Sequence, residues 1–135
     1  MKSIYWIDVF FYLCFAAFVI SRYQPGARFF AGITIAAIGL SLWILARLQL
    51  GKSFSVRAEA RSLVTTGLYS KFRNPIYLFA GIAFAGLFTA WGKIIPAIFF
   101  LAGYSMQFLR AKKEAKVLED AFGEEYRRYK AKTWF

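Results

Sequence analysis

Four apolar runs, at residues 4–20, 29–48, 76–90 and 94–109, set the rhythm of the chain. The second is long enough for the ~20 residues a helix needs to cross the hydrocarbon of a bilayer, and the other three fall somewhat short. Mild bilayer thinning or interfacial anchors close such a gap, and Tyr5, Trp6, Trp43, Tyr77, Trp91 and Tyr104 lie at or near run ends, where an aromatic belt is expected. Pro25-Gly26 between the first two runs and Gly92-Lys93 between the last two predict tight helical hairpins. The first run also has the look of a signal anchor, but no small-x-small cleavage pattern precedes Ser21, so it is read as part of the mature protein. The pairs Gly32/Ala36, Gly81/Ala85 and Gly86/Ala90 have the small-x-x-x-small spacing that lets helices approach closely. The prediction is one all-α domain: a polytopic membrane protein with four transmembrane helices.

Two polar segments interrupt this pattern, at residues 51–75 and 110–135. In the second, Ala111, Ala115, Leu118 and Phe122 fall at i, i+4, i+7 and i+11, one stripe of an amphipathic helix, with Gly123 placed to end it. Such a helix would continue out of the fourth span and fold back along the membrane surface, with Tyr126 and Tyr129 reaching the bilayer.

Composition agrees with a membrane solvent: 59% of the 135 residues are hydrophobic and 21% aromatic, far above a soluble domain of this size. The net charge of +11 could suggest nucleic acid, yet the charges lie between and after the apolar runs, so a membrane surface is the better partner. With four spans, the N-terminus, the 51–75 loop and the tail share one side and carry 15 Lys and Arg, against Arg22, Arg28 and Lys93 on the other. The positive-inside rule then puts both termini, the loop and the tail in the cytosol, of an inner membrane if the source is bacterial. Cys14 is the single cysteine and lies in an apolar run, which excludes an internal disulfide and makes it a small buried hydrophobe. No histidine is present, which removes imidazole bases, histidine metal sites and Ser-His-Asp triads; no metal is expected.

Chemistry-bearing residues concentrate in the two polar segments. The loop contains Leu63-Val64-Thr65-Thr66-Gly67-Leu68-Tyr69 and, at the entry to the third run, Arg73-Asn74-Pro75-Ile76-Tyr77. Thr66-Gly67 offers a turn with exposed backbone donors, Pro75 starts a helix, and Arg73 fixes a cation at that start. The plain alternative is an interfacial loop with a snorkelling arginine. In the tail, Arg110 and Glu114 are four apart on one helix face where the fourth run leaves the membrane. As a helix pair they contribute only ~0.3–0.5 kcal/mol, but a carboxylate there could also hold the hydroxyls or amino group of a nucleotide-like cofactor.

The string LVTTGLYSKFRNPIYL resembles the L-V-T-S-G-x-Y and R-(H/N)-P-x-Y motif of the isoprenylcysteine carboxyl methyltransferase and phospholipid methyltransferase superfamily. Glu114-Ala115-Lys116-Val117-Leu118, followed by Phe122-Gly123-Glu124-Glu125-Tyr126 and Tyr129, resembles its E-E-x-x-L and F-G-x-x-Y-x-x-Y pattern. Together they cover about half of the chain, from residue 60 to 130. The resemblance implies an integral membrane methyltransferase that uses S-adenosylmethionine. Val64, Thr65, Thr66, Gly67, Tyr77 and Glu114 would line the cofactor site, Arg73, Asn74 and Gly81 would support it, Tyr69 would pack within the loop, and Arg110 would orient the substrate. Three departures stand out. Ala115 replaces the second Glu and removes a polar contact, Asn74 stands for the His of R-H-P, and Phe79 replaces a usual Gly, which predicts a narrower lipid-side entrance with Gly81 supplying the lost space.

Methyl transfer from a sulfonium is an in-line displacement that needs alignment and exclusion of water rather than a metal or covalent intermediate. Without histidine to deprotonate an amine, a lipophilic carboxylate or thiolate is the expected acceptor; a phospholipid or amine acceptor, with Glu114 or water as base, is the alternative. Two readings of other classes stay open: a non-catalytic scaffold, supported by Ala115, and a small multidrug exporter using Asp8, the one acid within a run.

Overall fold

The computed structural model describes residues 6–51 and 63–135. Lys2, Tyr5, the start of the first apolar run and the early part of the loop, with Lys52, Arg57 and Arg61, lie outside the described residues. Five helices succeed one another: α1 (Ile7–Ser21), α2 (Ala27–Leu50), α3 (Pro75–Trp91), α4 (Ile94–Tyr104) and α5 (Met106–Lys132). A 3-10 turn, Gly67–Ser70, lies in the described part of the loop before α3. Both hairpins form where the sequence predicts them: α1 and α2 are joined by residues 22–26, α3 and α4 by Gly92 and Lys93. Pro75 occupies the first turn of α3, where its missing N–H costs nothing.

The principal interface is between α2 and α3, and it is made backbone against backbone. A Cβ on Gly32 would come within 2.3 Å of the Ala90 nitrogen, and one on Gly86 within 2.3 Å of the Ala36 nitrogen. Gly39 meets Ala83 in the same way, at 2.5 Å. The Gly32/Ala36 and Gly86/Ala90 pairs therefore pack as expected, with Gly39 as a third contact. The Gly81/Ala85 pair does not: it faces away from α2, and a Cβ on Gly81 would meet the Tyr104 ring of α4 at 3.2 Å.

Helix α1 crosses this pair and is fixed by Tyr12. Its buried hydroxyl lies 3.2 Å from the Ala36 carbonyl and 3.4 Å from that of Ala83, so one donor serves both α2 and α3. The ring packs edge-on against Trp43 and Phe84. Trp43, expected at an interface, is 2% exposed and lies in this core, where it flanks the Arg47 guanidinium. Arg47 also forms an ion pair with Asp8, which ties the start of α1 to the end of α2. Asp8 is thus engaged with a buried cation, unlike the available acid a proton-coupled exporter needs.

Helix α4 has no buried residue. It approaches α3 only through aromatic rings, Phe100 against Phe84 and Phe88 at centroid separations of 4.6 and 5.2 Å, and through Tyr104, whose hydroxyl donates to the Tyr77 carbonyl. Tyr104 is accordingly a helix-to-helix strut rather than a belt residue. The helix continues almost unbroken through Ser105 into α5, so that residues 94–132 form one rod interrupted at Gly123, whose backbone (φ 51, ψ −120) leaves the helical region. Gly123 ends the first helical piece as predicted. Beyond Gly123 the chain turns back toward the loop: Tyr126 and Tyr129 are buried, the Tyr129 hydroxyl lies 3.4 Å from the Phe72 carbonyl, and Trp134 and Phe135 pair with Lys71, Arg73 and Asn74. The expected contact of the two tyrosines with the bilayer is replaced by contact with the loop, because the kink at Gly123 redirects the chain.

Outward faces are apolar. Phe10, Phe11, Ile38, Leu45, Ile95 and Phe99 are among many large hydrophobics left exposed, a surface suited to acyl chains rather than water. Helix α2 and the α4–α5 rod are long and apolar enough to cross a bilayer, while α1 and α3 are apolar helices of 15 and 17 residues. The chain is an all-helical integral membrane protein among the described residues. Because the α2–α3 contact leaves no room for a side chain, Gly86→Val is expected to lower thermal stability in detergent by roughly 1–3 kcal/mol; an unchanged melting temperature would contradict this packing.

Candidate active site

The polar groups gather at one end of the bundle, where α2 ends, α3 begins and α5 leaves α4. The Tyr77 hydroxyl donates to Glu114 Oε1 at 2.7 Å, and Arg110 Nε donates to the same oxygen at 3.1 Å. Three of the residues singled out by sequence are therefore in direct contact, from two helices 37 positions apart. The Glu114 carboxylate is part-buried, and in such a setting a charged group keeps its charge only if partners supply it with hydrogen bonds.

The loop lies near this pair, close enough for Glu114 to act on the Tyr69 phenol. Gly67 has φ of +61, a conformation that side chains rarely adopt, and its missing Cβ leaves room for Gln49, whose amide would lie within 2.5 Å of one. The Gln49 carbonyl oxygen in turn accepts from the Leu68 N–H at 2.7 Å, so the end of α2 clasps the turn. Sequence reasoning passed over Gln49; its only signal was an uncharged polar residue at the end of an apolar run. Val64 is part-buried, Thr65, Thr66 and Gly67 are exposed, and neither threonine joins the Tyr77–Glu114 hydrogen bonds. Tyr69 is buried in the loop, as expected, and burial raises its phenol pKa, reinforced by neighbouring Tyr129 and Glu114 and opposed by Arg47. Its hydroxyl and the Arg73 Nε are buried without a hydrogen-bond partner among the described residues.

Arg73 and Asn74 brace the loop through their backbones, donating to the carbonyls of Trp134 and Phe135 at 2.8 and 2.9 Å, while Trp134 N donates to Lys71 O at 2.7 Å. Gly81 lies one turn beyond Tyr77. Both line an apolar cavity of about 870 Å³ between α3 and α4, walled also by Ala85, Phe88, Phe100 and Tyr104. Phe79 is not in that wall. It is buried on the opposite side of α3, 5.5 Å from the Phe72 ring, so the expected narrowing of the lipid-side entrance does not occur: two positions from Tyr77 is the far face of a helix.

One end of an apolar cavity is thus walled by Tyr77, whose hydroxyl bonds a carboxylate that an arginine also holds. The sequence pattern of the phospholipid methyltransferase family matches residues 27–125. The chain belongs to the phospholipid methyltransferase family. No curated protein and no solved structure matches it. Membership carries membrane methyltransferase chemistry and a lipid as the class of substrate. The match begins at α2 and ends just past Gly123, so it includes Gln49, the loop, Glu114 and the cavity wall apart from Phe135.

The packing of the tail against the loop carries a pH signature. Burial pushes the Tyr129 phenol up to about 12, with Tyr126 adding to the rise and Arg73 opposing it. A phenol whose pKa is raised by folding supports the folded state fully below its ordinary value near 10, and loses that contribution as pH climbs through the folded value. Wild type should therefore lose stability between pH 10 and 12, and Tyr129→Phe should lose less over the same window. Equal losses in thermal melts across that range would show that Tyr129 is not buried against the loop.

Proposed function

We propose that the protein transfers a methyl group from S-adenosylmethionine to a lipophilic acceptor, at the end of the bundle where Tyr77, Glu114 and Arg110 meet. The observation that carries this reading is the position of Tyr77, which hydrogen-bonds Glu114 and also lines the cavity. A methyl donor held on the Glu114 side and a lipid held on the cavity side would meet at this residue. In the topology that goes with it, α1, α2, α3 and the α4–α5 rod are four spans, and the loop and tail face the cytosol.

The residues at hand suit the donor's chemistry. Glu114 offers a carboxylate for ribose hydroxyls or an amino group, exposed Thr65, Thr66 and Gly67 offer hydroxyls and backbone donors, and Val64 an apolar surface. The unpartnered Tyr69 hydroxyl and Arg73 Nε are buried polar groups of the kind a ligand satisfies. When bound, S-adenosylmethionine supplies an electrophilic methyl on a sulfonium, which an acceptor lone pair takes as the carbon–sulfur bond breaks and sulfur leaves as a neutral thioether.

The chain's own contribution is placement. Tyr77 and Arg110 hold the Glu114 carboxylate in one orientation, and Gln49 fixes the neighbouring turn. The aromatic cavity wall keeps water from the lipid side. Arg110, bonded to Glu114 and with part of its side chain exposed, would orient an anionic acceptor group. A carboxylate or thiolate acceptor needs no base; an amine-bearing phospholipid, to which the family name points, would give its proton to Glu114 or water. Both acceptors use the same residues.

Incubation of the purified protein with methyl-labelled S-adenosylmethionine and a membrane lipid extract should yield a labelled lipid whose identity separates the two acceptors. Glu114→Gln should reduce turnover about 100-fold or more, comparable to the loss of a preorganised charged group in an active site. Tyr77→Phe should cost about tenfold, the equivalent of one hydrogen bond. Gln49→Ala should raise KM for the donor with little change in kcat. No saturable donor binding to the wild type by calorimetry, or full activity in Glu114→Gln, would overturn the proposal.

A further inference from the structure

The cavity between α3 and α4 does not stop at the Tyr77 end. It runs the length of α3 to Gly92 and Lys93, and there its wall includes Arg28 and Ile94. Between Tyr77 and Gly92 a helix rises about 22 Å, so the far end lies most of a bilayer away from the Tyr77–Glu114 site. Its chemistry is different. The cavity is otherwise almost wholly apolar, yet this mouth carries two cations.

These cations have no counter-charge nearby. Among the described residues every Asp and Glu lies in α5, apart from Asp8, which pairs with Arg47 at the opposite end of α1. Arg22, the third cation of this end, lies over the Phe18 ring, 5.3 Å from its centre. Arg28 is not a loosely snorkelling side chain either: a Cβ on Gly92 would come within 2.5 Å of its guanidinium carbon, so the group lies flat on the α3–α4 turn. Helix α4 starts at that turn with no side chain capping it, and its unpaired N–H groups add a partial positive charge. The Arg28 guanidinium, the residue Lys93 and the N-terminus of α4 thus lie together at the mouth of an apolar groove.

We infer that this end of the groove binds one anionic phospholipid, with its phosphate between Arg28 and Lys93 and an acyl chain along α3 and α4. Charge complementarity selects the head group, and the apolar wall selects the chain. Depth sets how far the chain reaches. One leaflet is half of the ~30 Å hydrocarbon core, which corresponds to about ten residues of helix, from Gly92 to Ile82. The lipid therefore fills the half of the cavity walled by Ile82, Ala85, Phe88, Ala97 and Phe100. Tyr77, Gly81, Tyr104 and Gln107 remain for a molecule entering from the other end. The site needs no methyl donor, and its occupancy is independent of whether the chain catalyses transfer.

The test is direct binding of dioleoyl phosphatidylglycerol and dioleoyl phosphatidylcholine to the full chain in detergent, read by native mass spectrometry. The wild type should prefer the anionic lipid, and inorganic phosphate at millimolar concentration should not displace it. In Arg28→Gln/Lys93→Gln the preference should fall about 30-fold, the loss expected for two basic side chains near a bilayer surface. Affinity for phosphatidylcholine, whose phosphate carries its own choline counter-charge, should fall far less, and an unchanged melting temperature in detergent shows that the variant is folded. Lys93→Gln alone, on the exposed turn, should give about a fivefold loss. Lys112→Gln/Lys113→Gln removes the same charge at the other end and should leave the preference intact. Equal binding of the two lipids by the wild type, displacement by phosphate, or a preference that tracks Lys112 and Lys113 instead would overturn the assignment.

Discussion

Everything in this molecule is arranged around two helices that touch without side chains. At Gly32, Gly39 and Gly86 the backbones of α2 and α3 meet at distances no Cβ would survive. In a bilayer there is no hydrophobic drive to press helices together, since lipid is as apolar as leucine. Close approach is then the main source of attraction, because dispersion falls away steeply with separation. This contact consumes one face of α3, the one bearing Phe79, Ala83, Gly86 and Ala90. The opposite face, with Tyr77, Gly81, Ala85 and Phe88, is left to α4. There the partner is kept at a distance by Phe100 and Tyr104, and a cavity stands where a second tight interface could have been. Packing on one side of α3 and vacancy on the other arise from the same small residues, according to whether the neighbour brings a backbone or a ring.

The polar groups obey a different constraint. Near the edge of an apolar bundle a charge is retained only if partners surround it. Asp8 and Arg47 satisfy each other, with Trp6 and Trp43 flanking the guanidinium. Glu114 is held by Tyr77 and Arg110. Tyr69 lies between the two sets, close enough to Arg47 and Glu114 for both charges to act on its phenol. The result is a line of mutually dependent groups drawn from α1, α2, the loop, α3 and α5 at one end of the bundle. That line places a hydrogen-bonded carboxylate one residue away from the wall of an apolar cavity, through Tyr77.

Much of this was legible in the sequence, and the failures share a cause. Periodicity and turn residues are local, so the hairpins at residues 22–26 and at Gly92-Lys93, the start of α3 at Pro75 and the break at Gly123 all stood where expected. Arg110 and Glu114 share a face by spacing alone, and the motif supplied Tyr77 as their neighbour. What spacing cannot state is which neighbour a face meets. Gly81/Ala85 and Gly86/Ala90 are the same pattern, yet one lines a cavity and the other a helix interface. Trp43 and Tyr104 have belt-like positions but are turned inward by Tyr12 and Tyr77. Tyr126 and Tyr129 were aimed at the bilayer until the Gly123 kink sent them to the loop. Gln49 acts through a backbone amide 19 residues away, a pairing with no sequence signature.

The continuity of α4 with α5 gives the arrangement its mechanical sense. A site assembled from loops alone would shift with each fluctuation of the membrane surface, since loops are held by few buried contacts. Here the carboxylate stands on a rod that passes through Ser105 without leaving helical geometry, and the rod is anchored to α3 by the Tyr104 hydroxyl. Tyr77 closes the circuit. Its carbonyl accepts from Tyr104 and its hydroxyl donates to Glu114, so one residue fixes α3 to the rod at two points. The geometry between cavity and carboxylate is thereby set by rigid helices, and the nearby turn, clasped by Gln49, with the following residues 71–74 paired to Trp134 and Phe135, is left to loop chemistry. A rigid helical frame with the loop set beside it is the division a displacement reaction needs, because alignment must persist while small molecules enter and leave.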